Sequence, residues 1–145
     1  MTGDWNGSGK TSVGAYDPAN ATFYLRASTD PASEATTSVG YGDPFSGDVP
    51  VTGDWTGSGT TTIGLYDLST ATFILRDTNT SGRADTTFSY GNPNDDVVPL
   101  TGHWTGAGPD TIGIYRVSDA SLLTSVPQMT YQIGHMGQVG VCAAH

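Results

Sequence analysis

The chain states one pattern three times. It reads Thr2-Gly3-Asp4-Trp5-Asn6-Gly7-Ser8-Gly9 at the start and closes on Val13-Gly14-Ala15-Tyr16. It returns as Thr52-Gly53-Asp54-Trp55-Thr56-Gly57-Ser58-Gly59 with Ile63-Gly64-Leu65-Tyr66, and again as Thr101-Gly102-His103-Trp104-Thr105-Gly106-Ala107-Gly108 with Ile112-Gly113-Ile114-Tyr115. The step is 50 residues from Trp5 to Trp55 and 49 from Trp55 to Trp104. A period in this range belongs to propellers, solenoids and other arrays, in which each unit buries its apolar face on a neighbour. The chain of 145 residues is therefore read as one repeat domain with units of about 1–50, 51–99 and 100–145.

Within a unit the pattern is that of short strands. In the first, Thr11 to Tyr16 alternates as a strand, and Asp17-Pro18-Ala19-Asn20 is a turn in which Pro presets φ and Asn tolerates left-handed backbone. Ala21 to Arg26 is a second strand, with Phe23 and Leu25 on one face and Thr22, Tyr24 and Arg26 on the other. A third is expected from Thr36 to Tyr41, and a fourth, Val49 to Thr52, leads into the next Gly-rich loop. The second unit repeats the plan at Ile63 to Tyr66, Thr72 to Arg76, Phe88 to Gly91 and Val97 to Leu100. The third aligns to its end if its hairpin is shortened, with Ala120 to Leu123 on Ala71 to Ile74, Thr130 to Gly134 on Thr87 to Gly91, and Val139 to Cys142 on Asp96 to Pro99. Four strands in each period of about 50 residues predict an all-β fold of three propeller-blade-like units. A β-trefoil or β-prism is the alternative, since either also builds a chain of this size from three four-stranded units. Because a closed propeller takes about four to eight blades, three units predict self-association, either as a dimer completing a six-bladed ring or as a larger assembly.

Charge narrows the partners. The net charge of −9 repels phosphate backbones and anionic headgroups, so neither nucleic acid nor membrane insertion is expected. No apolar run approaches the roughly 18 residues of a membrane span, and Met1 runs straight into the repeat, so on this evidence the chain is expected to be cytosolic or to lack an upstream segment. The single Cys142 makes no intrachain disulfide and identifies no redox compartment.

The run G-D-W-x-G-x-G-x-x-x-[IV]-G-x-Y, at Gly3 to Tyr16 and Gly53 to Tyr66, resembles the bacterial branch of the FG-GAP/VCBS-type, integrin-like propeller repeats. The resemblance covers all three units and is weakest at His103 and beyond Arg116. It implies an extracellular or cell-surface location, and roles in adhesion, in glycan or surface-protein binding, or as an accessory domain of secreted hydrolases. It also implies a calcium loop. The matching positions are Asp4, Asn6, Ser8 and Ser12, then Asp54, Thr56, Ser58 and Thr62, then His103, Thr105, Ala107 and Thr111. Calcium affinity rises with the number of carboxylates, and one per loop makes a poor site. No cofactor is required on this reading, and the loops read best as hydroxyl-rich turns closed by Asp4 and Asp54.

Other signals yield less. Gly9-Lys10-Thr11 is not a phosphate loop, since Asp4 stands where the first Gly is needed and no helix follows. Trp5, Trp55 and Trp104, with Asp4 and Asp54 beside the first two, are candidate sugar platforms, although repeated indoles also serve as packing between units. Arg26 and Arg76 share a strand position at which the third unit has Ser125. Asn6, Asn20 and Asn79 head sequons that matter only in a glycosylating route. His103, His135 and His145 form no catalytic motif, and no nucleophile or metal signature is present. The expected function is a noncatalytic module for adhesion or self-assembly. A lectin-like carbohydrate-binding module is the alternative.

Overall fold

The computed structural model describes residues 1–32, 36–106, 108–124 and 130–132. Among them the secondary structure is all β, with twelve strands in three antiparallel sheets. The first sheet contains β1 (Thr2–Gly3), β2 (Ser12–Asp17), β3 (Thr22–Arg26) and β4 (Thr36–Gly40). The second contains β5 (Val49–Gly53), β6 (Thr62–Asp67), β7 (Thr72–Leu75) and β8 (Thr86–Ser89). The third contains β9 (Val97–Gly102), β10 (Thr111–Arg116), β11 (Ser121–Thr124) and β12 (Thr130–Gln132). Each is an up-and-down meander in which every strand pairs with the next. No described helix is long and apolar enough to cross a membrane.

Apart from β1, where the sequence showed only the start of a Gly-rich loop, the strands fall within a residue or two of where alternation places them, but the grouping differs from the sequence period. Val49 to Gly53 forms, and it opens the second sheet instead of closing the first: Gly53 pairs with Thr62 and Val49 with Tyr66. The Gly-rich loop is thus the tip of a hairpin whose two arms lie in one sheet, and hairpin closure joins them through a short connection. The shortened third unit aligns as expected. Leu122 pairs with Tyr131 as Phe73 pairs with Phe88. Val139 to Cys142 lies outside the described residues.

The left-handed residue of the β2–β3 turn is Ala21 (φ 50°), one place beyond Asn20, and Ala71 and Ala120 repeat it at 53° and 54°. Asp17 starts the turn by accepting the amide of Ala19 at 2.9 Å. Ala21 then presents its carbonyl to the Tyr41 amide at 2.8 Å, as Ala71 does to Tyr90. The buried methyl fills space that glycine would leave empty, which offsets the backbone strain.

Two cores join the three sheets. In one, Phe23, Leu25 and Val39 of the first sheet, with Trp5 and Tyr41 from the loops beside it, receive Ile63 and Leu65 of the second. In the other, Tyr66, Phe73 and Leu75 of the second sheet receive Ile112 and Ile114 of the third. The second sheet therefore offers one face to the first and the opposite face to the third. Alternation along β6 delivers both faces at once, and five successive residues of it, Thr62 to Tyr66, are buried. Each fully buried large apolar side chain contributes about 1.5–3 kcal/mol, and these clusters tie each sheet to its neighbour. The first strands lie side by side, β1 near β5 and β5 near β9, and Thr101 on β9 donates its hydroxyl to the Thr52 carbonyl on β5 at 2.6 Å.

Candidate functional site

The three hairpin tips gather the residues that the sequence marks. In the first, the Asp4 carboxylate accepts the Ser8 amide at 2.9 Å on one oxygen and the Gly9 amide at 2.6 Å on the other. Asp54 repeats both bonds, with Ser58 at 2.9 Å and Gly59 at 2.6 Å. Burial pushes the Asp4 carboxyl up, but the amides of Gly9, Ser8 and Asn6 and the Ser8 hydroxyl outweigh it and leave the group below its ordinary value. The same balance, through Gly59, Ser58 and Gly57, lowers Asp54.

Three of the four oxygen-bearing positions of the first loop draw together, since the Asp4 oxygen that accepts the Ser8 amide also lies 3.4 Å from the Ser8 hydroxyl, and only Ser12 turns away. Asn6 accepts the Ser8 amide at 3.2 Å. Ser12 is buried and directs its hydroxyl to the carbonyls of Gly3 and Arg26. In the second loop Thr62 likewise donates to Gly53 O at 3.2 Å, and in the third Thr111 donates to Gly102 O at 3.3 Å. Among the described residues, no three His, Cys, Asp or Glu side chains are placed to hold a metal ion. Ala107, the third-loop counterpart of Ser8, lies outside the described residues, as do Ser125, His135 and His145.

The three indoles occupy three environments. Trp5 is buried and donates its ring N–H to the Val13 carbonyl at 3.1 Å. Trp55 makes the same bond to Ile63 at 3.4 Å, is half-buried, and walls a cavity of about 200 Å³ between the second and third sheets with Leu75, Phe88, Asp110 and Ile112. Trp104 is 40% exposed. The gradient follows position, because the next sheet covers Trp5 and Trp55.

Sequence reasoning missed the residues that tie one tip to the next sheet. The Asp4 amide donates to the Thr61 hydroxyl at 3.0 Å, and the Thr61 amide donates back to the Asp4 carbonyl at 2.8 Å. Between the second and third sheets the same clasp recurs with Asp110 in the place of Thr61: the Asp54 amide donates to its carboxylate and the Asp110 amide to the Asp54 carbonyl, both at 2.8 Å. The other Asp110 oxygen lies 3.4 Å from His103 Nδ1. The third unit thus exchanges the residue types at its two clasp positions, His for Asp at 103 and Asp for Thr at 110. A side chain with an acceptor oxygen two places after the second loop glycine, at Thr11, Thr61 and Asp110, was the available signal.

The loop between β7 and β8 adds a second tie. Asn79 donates its amide to the carbonyls of Trp5 at 3.2 Å and Thr61 at 2.9 Å, so a glycan at this sequon would cost both bonds. Arg76 pins the loop through Thr80, Arg83 and a 2.9 Å pair with Asp85, while Arg26 reaches the Asp30 carbonyl at 2.8 Å. Comparison of the chain with protein-family models, characterised proteins and solved structures finds no match.

Proposed function

We infer that the chain is a noncatalytic module whose β units assemble face to face, each sheet serving as a propeller-type blade, and that it works at the cell surface or outside the cell. The observation that carries this reading is the placement of exposed apolar side chains at the two ends of the row of sheets. Val13 is 51% exposed and Tyr24 38% on the open face of the first sheet, and Trp104 is 40% exposed at the far side of the third. Side chains at these repeat positions are packed wherever a neighbouring sheet exists. Open apolar faces and unpaired edges favour association with a complementary unit. An exposed first-sheet face also supports an open row over a self-closed threefold fold such as a trefoil or prism.

The location rests on the resemblance of the G-D-W-x-G-x-G run to integrin-like repeats. Sedimentation velocity over a dilution series, with calcium and with chelator, tests the assembly reading. The expected result is a mass above the 15.0 kDa of one chain that falls on dilution. A single 15.0 kDa species at every concentration contradicts it.

A second reading, a lectin-like module, draws support from the cavity of about 200 Å³, whose wall combines the Trp55 ring with the Asp110 carboxylate. Flat indole faces and a carboxylate suit a sugar ring. Saturable quenching of tryptophan fluorescence by neutral saccharides, lost in Trp55→Phe, is its expected signature. Silence across a glycan array contradicts it.

A further inference from the structure

The two ends of the row are the two halves of one interface. At the leading face, Ile63 and Leu65 of the second sheet and Ile112 and Ile114 of the third are buried on the preceding sheet, with Ile74 and Leu123 packed beside them. The equivalents in the first sheet are Val13, Ala15 and Tyr24, all exposed. At the trailing face, Trp5 and Trp55 are covered by Ile63 and Ile112. Trp104 is their exposed equivalent, and Tyr115 and Leu122, which match Tyr66 and Phe73, are half-buried.

The polar groups match as well. Thr11 is exposed at the position from which Thr61 and Asp110 clasp the preceding tip, and His103 is exposed at the position of the clasped Asp4 and Asp54. A groove of about 410 Å³ on the first sheet is lined by Lys10, Thr11, Ser12, Ser28, Thr29 and Asp30. Thr11 and Thr29 correspond to Thr61 and Asn79, the two residues of the second sheet that hold the incoming Asp4–Trp5 tip. The groove is the same socket without its tip.

We propose that the third sheet of one copy of this chain docks head to tail on the first sheet of a second copy, its His103–Trp104 tip seated in the groove between Lys10 and Asp30. The interface continues the one made twice within the chain. The Thr11 hydroxyl accepts from the His103 amide, the Thr11 amide donates to the His103 carbonyl, and Val13 covers the Trp104 ring. This rests on the assembly reading and specifies its geometry. Such an interface is heterologous, so it closes into a ring when the rotation allows and otherwise extends as a chain.

Two variants test it. Val13→Arg places a charge on the open leading face, and Trp104→Glu places one on the trailing tip. Both sites face solvent in a single chain, and circular dichroism of each variant checks that it folds. By light scattering, wild type is expected above 15.0 kDa and each variant alone at 15.0 kDa. An equimolar mixture is expected to regain a species of twice that mass, because V13R keeps an intact trailing face and W104E an intact leading face. If wild type associates but V13R associates equally well, or if mixing restores nothing, the head-to-tail interface is wrong while assembly itself stands. If wild type never exceeds 15.0 kDa at roughly millimolar protein, both readings fall.

Discussion

Tyr41 and Tyr66 are both buried phenols, and their hydroxyls fare differently. Tyr66 donates to the Tyr90 carbonyl at 2.9 Å. The Tyr41 hydroxyl finds no partner among the described residues, and burial pushes the group up to about 12. Removing an unpaired buried hydroxyl relieves its desolvation cost, whereas removing a paired one leaves a carbonyl unsatisfied. Tyr41→Phe is therefore expected to be neutral or stabilising by up to about 1 kcal/mol, and Tyr66→Phe to cost about 1–2 kcal/mol, in urea melts. The loop carboxylates give a pH signature. Asp54 is held below its ordinary value in the fold, so the unfolded chain binds more protons once the pH drops below the ordinary carboxylate value. Stability from Asp54 is present above that value and is lost as the pH falls through the folded one. Thermal melts of Asp54→Asn are expected to show a shallower decline than wild type as the pH falls below the ordinary carboxylate value, about 4. At this scale the sequence was partly legible. The glycines and Asp4 and Asp54 announced closed turns, because a short loop leaves few ways to satisfy its amides. Thr61 and Asp110 were marked only by an acceptor side chain two places after the second loop glycine, and their role was not legible because their partners lie one repeat away.

Period-2 alternation located the strands to within a residue or two, because Phe23 and Leu25, or Phe73 and Leu75, must share a face to be buried together. Alternation does not say with which sheet an isolated strand pairs. Val49 to Gly53 was legible as a strand but not as the opening strand of the second sheet, a matter decided by hairpin closure across Asp54 to Thr61. Glycines separate local from interunit constraint. Gly59 (φ +87°) has nothing within 4 Å of an added Cβ, whereas at Gly91 (φ +103°) that atom would lie 2.8 Å from Ile114 Cδ1 of the next sheet. Gly59→Ala is expected to cost about 1–2 kcal/mol for backbone strain alone. Gly91→Ala adds overpacking of about 1–3 kcal/mol against Ile114. Chemical denaturation of the two variants separates these costs, and equal losses would contradict the close approach of Ile114 to Gly91 after β8.

Among the described residues the three sheets form a row in which the second packs on the first and the third on the second, and stacking of units was legible in outline from the repeat. The period said that units stack; it did not say which face meets which, because either face of a four-stranded meander carries apolar residues. The burial gradients from Trp5 through Trp55 to Trp104, and from Val13 to Ile63 and Ile112, supply that direction. They also leave complementary faces open at the two ends. The mass of the wild-type chain in solution, measured beside Val13→Arg at the same concentration, tests this most directly. The account predicts that wild type exceeds 15.0 kDa and that the variant, folded, does not. Two folded proteins of identical 15.0 kDa mass at high concentration would contradict it.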